Sequence, residues 1–313
     1  MNFQFDTLPF EPWVIITLIA AFLQNIRSSL QKHLKGVMGT AGATFVRFGF
    51  GVPVAFVLLA LLIGGDMTVL PMLNIRFAIW VVVAALSQII AQALLIAMFS
   101  RRNFVVGSAY SRTEPLQAAL FGLVFLGEGA SVGTLVAIMV AMTGVLLMSV
   151  AQGGKGKVTA TALVTALFTP SAGIGLLSGT FFGLAAVGYR GASTALAGPG
   201  YLVQAAVTLC AAIVLQSIVV AAWIFWRDRG EFARILAAWK VSAIVGLAGA
   251  LASFCWFAAM TLQQAAIVKT LAQVEILFII VTSWFFFREK ISLTELAGVL
   301  LVSAGIAALF LFG

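Results

Sequence analysis

The chain has 313 residues, of which 62% are hydrophobic and only 9% charged, and its mean hydropathy is +1.14. A soluble globule carries about 25% charged residues, so this composition excludes one. It also excludes a soluble catalytic domain, because no polar stretch much longer than about 20 residues is available to build it. The formal charge of +8, from 18 basic and 10 acidic residues, reads as membrane topology rather than as nucleic-acid binding.

The start, Met1 to Asp6, is acidic rather than basic, so the first apolar run, 13–33, reads as a retained span and not as a signal peptide. It carries Gln24, Asn25 and Ser28 within about one helical turn. Runs at 41–64, with Arg47 inside it, and 75–100 follow; the latter holds Trp80 and a second polar group, Ser87, Gln88 and Gln92. The run 104–127 contains Tyr110, Arg112, Glu114 and Pro115, and 131–151 closes the first half. Between halves lies a linker at 153–169 whose Gly153-Gly154-Lys155-Gly156-Lys157 lacks the spacing and the following Ser or Thr of a phosphate loop. The run 170–196 has Gly175, Gly179 and Gly183 at four-residue spacing, then Tyr189 and Arg190. Runs at 200–226, 239–262 with Trp256, 265–287 with Lys269 and Glu275, and 292–312 complete the chain. Each is near the roughly 20 residues a helix needs to cross a bilayer. Barrel strands alternate apolar and polar residues, and these runs do not. The expected fold is an all-α integral membrane protein with ten transmembrane helices.

An offset of 161 residues lays Glu114 on Glu275, Glu128 on Glu289, Ser131 on Ser292 and Gly144 on Gly305. Such agreement is easy for Leu or Ala in an apolar chain and hard for scarce glutamates. The expected organisation is therefore a first five-helix repeat at 1–152, a cytoplasmic linker at 153–169 and a second five-helix repeat at 170–313. Five is odd, so the repeats enter the membrane from opposite sides. Lys32 and Lys35, Arg101 and Arg102, Lys155 and Lys157, Arg227 to Lys240, and Arg288 and Lys290 all fall in odd-to-even loops. The positive-inside rule makes those loops cytoplasmic and both termini periplasmic.

Two inverted five-helix repeats, each ending in a Glu-to-Glu helix pair, resemble the EamA-type repeat of the drug/metabolite transporter superfamily. The segments that carry the resemblance are Tyr110-Ser111-Arg112-Thr113-Glu114-Pro115 to Gly127-Glu128 and Leu271-Ala272-Gln273-Val274-Glu275 to Arg288-Glu289-Lys290. Where that family's second repeat often has a proline beside the glutamate, this chain has Ile276, which argues against symmetrical kinks. Within the superfamily the sequence is similar to YddG-type exporters of aromatic and other hydrophobic amino acids. The resemblance implies a multi-pass protein of the bacterial cytoplasmic (inner) membrane that exports amino acids by alternating access.

An ionisable group at bilayer depth costs about 2.5–3.5 kcal/mol on insertion scales, so it should face a cavity or a partner. Arg112, Glu114, Lys269 and Glu275, with Pro115 bending the helix, form an expected coupling or gating group, although a purely structural pairing explains the glutamates equally well. The adjacent proline and Arg112 make Glu114 the more important of the two. The expected substrate cavity is lined by Gln24, Asn25, Ser28, Trp80, Ser87, Gln88, Gln92, Tyr110, Tyr189 and Trp256, whose polar groups suit a zwitterion and whose rings suit its side chain. Interhelical hydrogen bonding and core packing are the plain alternatives. Sugar-phosphate or organic-cation cargo is the second choice, and a structural subunit without transport a distant third. One histidine, His33, and two separate cysteines, Cys210 and Cys255, make a poor inventory for an enzyme, a metal or a disulfide. No cofactor and no nucleic acid is expected. The partners are an amino-acid substrate and membrane lipid, with a monomer as the functional unit, since the repeat supplies its own pseudo-twofold.

Overall fold

The computed structural model describes residues 11–98, 111–152, 170–198, 200–276 and 293–312. Among them every regular element is helical: α1 (Pro12–Leu34), α2 (Thr40–Gly49), α3 (Val52–Ile63), a short turn at Met67–Val69, α4 (Ile75–Met98), α5 (Glu114–Phe121) continued by a wider turn at Gly122–Leu126, α6 (Val132–Gln152), α7 (Pro170–Ala195), α8 (Tyr201–Arg227), α9 (Gly230–Ala237), α10 (Trp239–Leu262), α11 (Ala265–Leu271) and α12 (Leu293–Phe312). Tyr110, the linker at 153–169 and the basic residues Arg101, Arg102, Arg288 and Lys290 lie outside the described residues.

Five described stretches are long and apolar enough to cross a membrane: Pro12–Gln31, Thr40–Ile63, Ile75–Ala97, Tyr201–Arg227 and Trp239–Leu262. Shorter apolar helices occupy Glu114–Leu126, Val132–Leu147 and Leu296–Phe312. Of the ten predicted helices, those over 104–127 and 265–287 are described only in part, and those over 75–100 and 292–312 up to their last or first residues. The one predicted over 41–64 is two helices, α2 and α3, that meet at Phe50 and Gly51. Pro53, in the first turn of α3, has no N–H to give to the Gly49 carbonyl four residues back and its ring clashes with that carbonyl, so the backbone turns through a Gly51 N–H to Phe48 carbonyl bond of 2.9 Å instead.

The chain forms two compact units, one of residues Met1–Ala85 with Gly188–Gln264 and the other of Leu86–Val187 with Ala265–Gly313. Each unit takes helices from both halves of the sequence. In the first, α1 lies along α10, and α8 packs on α2, α3 and α10. Gln24 meets Trp256 while Arg27, further along α1, reaches Gly249, earlier in α10, so the two helices run antiparallel. In the second unit α6 lies along α12, again antiparallel: Ser131 at one end bonds the Phe312 carbonyl, and Gly144 at the other faces Gly298 and Val302. A Cβ on Gly305 would lie 2.5 Å from the Ala141 nitrogen, and one on Gly144 would lie 2.7 Å from the Gly298 oxygen. The small residues of these two helices thus serve packing within the unit. Val145, Ile276 and Val302 fill the core beside them.

A crossed ion-pair site and a buried arginine cluster

In the second unit both repeats interrupt a helix just before their glutamate. Arg112 and Thr113 form a turn and α5 begins at Glu114, with Pro115 in its first turn, where a missing N–H costs nothing. Pro115 is therefore a helix-starting residue rather than the centre of a bent helix. The second repeat has Ile276 in the matching place and is interrupted all the same. After α11, the Gln273 N–H bonds the Thr270 carbonyl at 3.1 Å and the Glu275 N–H bonds the Ala272 carbonyl at 3.0 Å, tightening the chain into a turn at Ala272 and Gln273. The expected asymmetry of the two breaks is not found, because backbone hydrogen bonds make the second turn without proline.

The charges pair crosswise. Arg112 Nη1 lies 3.1 Å from Glu275 Oε2, and Lys269 Nζ lies 2.8 Å from Glu114 Oε1. Arg112, expected to serve its neighbour Glu114, thus serves the glutamate of the other repeat, since α5 and α11 pack together. Glu114 sits at the N-terminus of α5 and Lys269 in the last turn of α11, the ends where each sign is favoured by the helix dipole. Behind them, α7 presents glycines. A Cβ on Gly179 would lie 2.9 Å from the Ser111 carbonyl oxygen, and one on Gly183 would lie 3.2 Å from the Ala118 nitrogen. Gln117 donates to the Thr113 hydroxyl at 2.8 Å, tying the turn to α5.

The first unit gathers most of the aromatic candidates. Trp256 on α10 donates from Nε1 to Gln24 Oε1 on α1 at 3.1 Å. Tyr189 on α7 is 1% exposed, stacks on Phe257 with ring centroids 4.0 Å apart, and accepts a hydrogen bond from the Gln216 amide at 3.0 Å. Trp80 packs flat on α7, within 3.0 Å of where a Gly191 Cβ would be. Asn25 and Ser28 are half-buried on α1. Ser87, Gln88 and Gln92 lie on the part of α4 that belongs to the second unit.

Arg190 donates to the carbonyls of Met260 and Gln263 at 2.6 and 2.7 Å, satisfying acceptors at the end of α10 that the helix itself leaves open. Arg27 and Arg47 are both buried, and Gly249 faces the aliphatic stems of both. Arg27, Phe257, Ser253 and Gln216 are missing from the sequence reading. Gln216 was open to the same argument that selected Gln88 and Gln92, a lone amide deep in an apolar helix. Arg27 was not, because a basic residue close to a predicted helix end looks like an interfacial one.

On the polar side, Glu231 of α9 accepts from the Gly42 N–H at 3.0 Å and from Arg234 Nε at 2.8 Å, and so caps the N-terminus of α2 from another helix. Arg234 also bonds Asp228, and that hydrogen bond holds the Asp228 carboxyl below its usual range.

The EamA-like transporter family matches residues 11–150 and 169–311, one match on each half of the chain. The chain belongs to the EamA-like transporter family. It is accordingly a multi-pass membrane protein that moves a small-molecule substrate and is surrounded by lipid. A solved structure described only as "Crystal structure of protein" is similar in fold, with a TM-score of 0.68 over 96% of each chain at 16% identity. The comparison with curated proteins finds no match.

Proposed function

We propose that this EamA-like transporter exports aromatic and other hydrophobic amino acids across the cytoplasmic membrane by alternating access, as a monomer with both termini periplasmic and one inverted five-helix repeat on each side of the 153–169 linker. The observation that carries the cargo reading is the Gln24–Trp256 hydrogen bond beside the Tyr189–Phe257 stack, both in the first unit. Amide and ring together suit a zwitterion with a large apolar side chain, and Asn25, Ser28 and Trp80 belong to the same proposed lining. Three of the basic residues that a phosphate cargo would need already have other work, Arg112 and Lys269 on glutamates and Arg190 on the end of α10. The crossed pairs Arg112–Glu275 and Lys269–Glu114, at the two helix breaks, are the proposed gate. Apolar contacts discriminate weakly, at about 1–3 kcal/mol per methylene, so several hydrophobic amino acids should be accepted.

Counterflow in proteoliposomes against amino acids, sugar phosphates and organic cations tests this reading. Phenylalanine, tryptophan or methionine should exchange faster than glutamate or lysine. A sugar phosphate or a cation that outcompetes them all would refute the cargo while leaving the family intact.

A further inference from the structure

We infer that Arg27 and Arg47 form a recognition site for a single oxyanion, which in the amino-acid reading above, on which this inference rests, is the carboxylate of the cargo. Arg27 lies seven residues before the end of α1 at Leu34, and Arg47 lies seven residues after the start of α2 at Thr40. At 1.5 Å per residue, both are about 10 Å in from the turn that joins the two helices. Each thus lies a similar distance along its own helix from that turn. Neither reaches outward as an interfacial arginine would, for Arg27 is 4% exposed and Arg47 3%. A Cβ on Gly249 would meet Arg47 Cγ at 3.2 Å and Arg27 Cδ at 3.4 Å, so this glycine of α10 is what lets the two stems lie side by side.

Serines steady the heads: Arg47 Nη2 donates to the Ser253 hydroxyl at 3.4 Å and Arg27 Nη2 to the Ser28 hydroxyl at 3.2 Å. Ser253 is three residues from Trp256, whose indole holds Gln24, and Gln24 is one turn from Arg27 and Ser28 on α1. Tyr189 stacks on Phe257, the residue that follows Trp256 on α10. Two arginine stems meet at Gly249, on the helix that also carries Trp256 and Phe257. Planar guanidinium forks suit carboxylate or phosphate oxygens, and an anion between two buried like charges relieves their repulsion. The anion therefore sets which molecules bind, and the aromatic groups sort them by side chain.

The full chain in lipid nanodiscs is titrated with phenylalanine, 3-phenylpropionate, phenethylamine, phenylalaninamide and phenyl phosphate, for the unsubstituted protein and for Arg27→Gln, Arg47→Gln, Arg47→Lys and Ser253→Ala. Phenylalanine and 3-phenylpropionate should bind at least tenfold more tightly than the amine and the amide. Each Arg→Gln change should abolish that preference while leaving the weak binding of phenethylamine unchanged, and Arg47→Lys should restore part of it. If the Gln variants do not fold, Ser253→Ala, which keeps both charges, should still weaken the carboxylates several-fold relative to phenethylamine. Phenethylamine binding as tightly as phenylalanine to the unsubstituted protein overturns the inference, as does an equal effect of every substitution on every probe. Phenyl phosphate binding more tightly than either carboxylate, with the same dependence on both arginines, upholds the oxyanion site and defeats the amino-acid cargo.

Discussion

Each glutamate at a helix break pairs with a basic residue of the opposite repeat, and this decides how single substitutions behave. Arg112→Gln takes an ion pair from Glu275, whose side chain is 8% exposed, and Glu114→Gln takes one from Lys269, 13% exposed. Breaking a buried pair from one side costs about 3–5 kcal/mol, whereas removing both charges is often near neutral. Each single change should therefore lower the thermal stability of the purified protein, and the doubles Arg112→Gln with Glu275→Gln, and Lys269→Gln with Glu114→Gln, should recover most of it. Counterflow on the same proteins separates a gate from a strut. The doubles should be stable yet slow in transport, and full activity would show the pairs to be structural. Of the two reasons for ranking Glu114 above Glu275, Arg112 now serves Glu275 and Pro115 remains beside Glu114. A smaller effect concerns Asp66 and Asp228, whose carboxyls hydrogen bonds from Thr68 and Arg234 hold below their usual range. A depressed folded value means that the contribution is present above the unfolded carboxylate value of about 3.9 and fades as pH falls through the folded one. Thermal melts should lose this contribution only in acid, and the loss should vanish in Asp66→Asn with Asp228→Asn.

At the scale of elements, glycine and a borrowed cap govern what can approach what. A side chain at Gly179 or Gly183 would run into the backbone of Ser111 or Ala118, which cannot retreat as a flexible side chain would. Gly183→Leu should therefore destabilise the protein by about 1–3 kcal/mol, the range for overpacking, with a lower melting temperature as the readout. Gly173 meets nothing within 4 Å and is the control position, where Gly173→Leu should be tolerated. At the other end of the same logic, α2 has no side-chain cap of its own and takes one from Glu231, which is 3% exposed. Glu231→Ala should cost about 1–2 kcal/mol, as losing an N-cap does, and the melting temperature of the purified variant checks it. Arg234→Ala should cost less, because its head is 42% exposed and water screens it.

For the whole molecule, the distribution of basic residues among the loops sets the expected orientation. A periplasm-dependent reporter enzyme fused after Gly313 should be active, and a green fluorescent protein fused there should stay dark if exported unfolded; bright cytoplasmic fluorescence would reverse the topology. The composition, the repeat at an offset of 161 and the family were all legible in the amino-acid sequence, because hydropathy and periodicity are local properties that any tertiary arrangement must obey. So were the two glutamates as marked positions.

Which charge meets which glutamate was decided only by tertiary structure. Arg112 is two residues from Glu114 in sequence yet pairs with Glu275, 163 residues away, because α5 and α11 pack at their breaks. Likewise Arg27 and Arg47 are unremarkable in separate helices until Gly249 brings their stems together, and Arg190 is one more charge in an apolar run until it caps α10. Sequence determined that buried charges in this chain need partners, since the desolvation cost belongs to each residue alone. The partners themselves are a property of helix packing, which depends on contacts between residues far apart in the chain and leaves no local pattern to read.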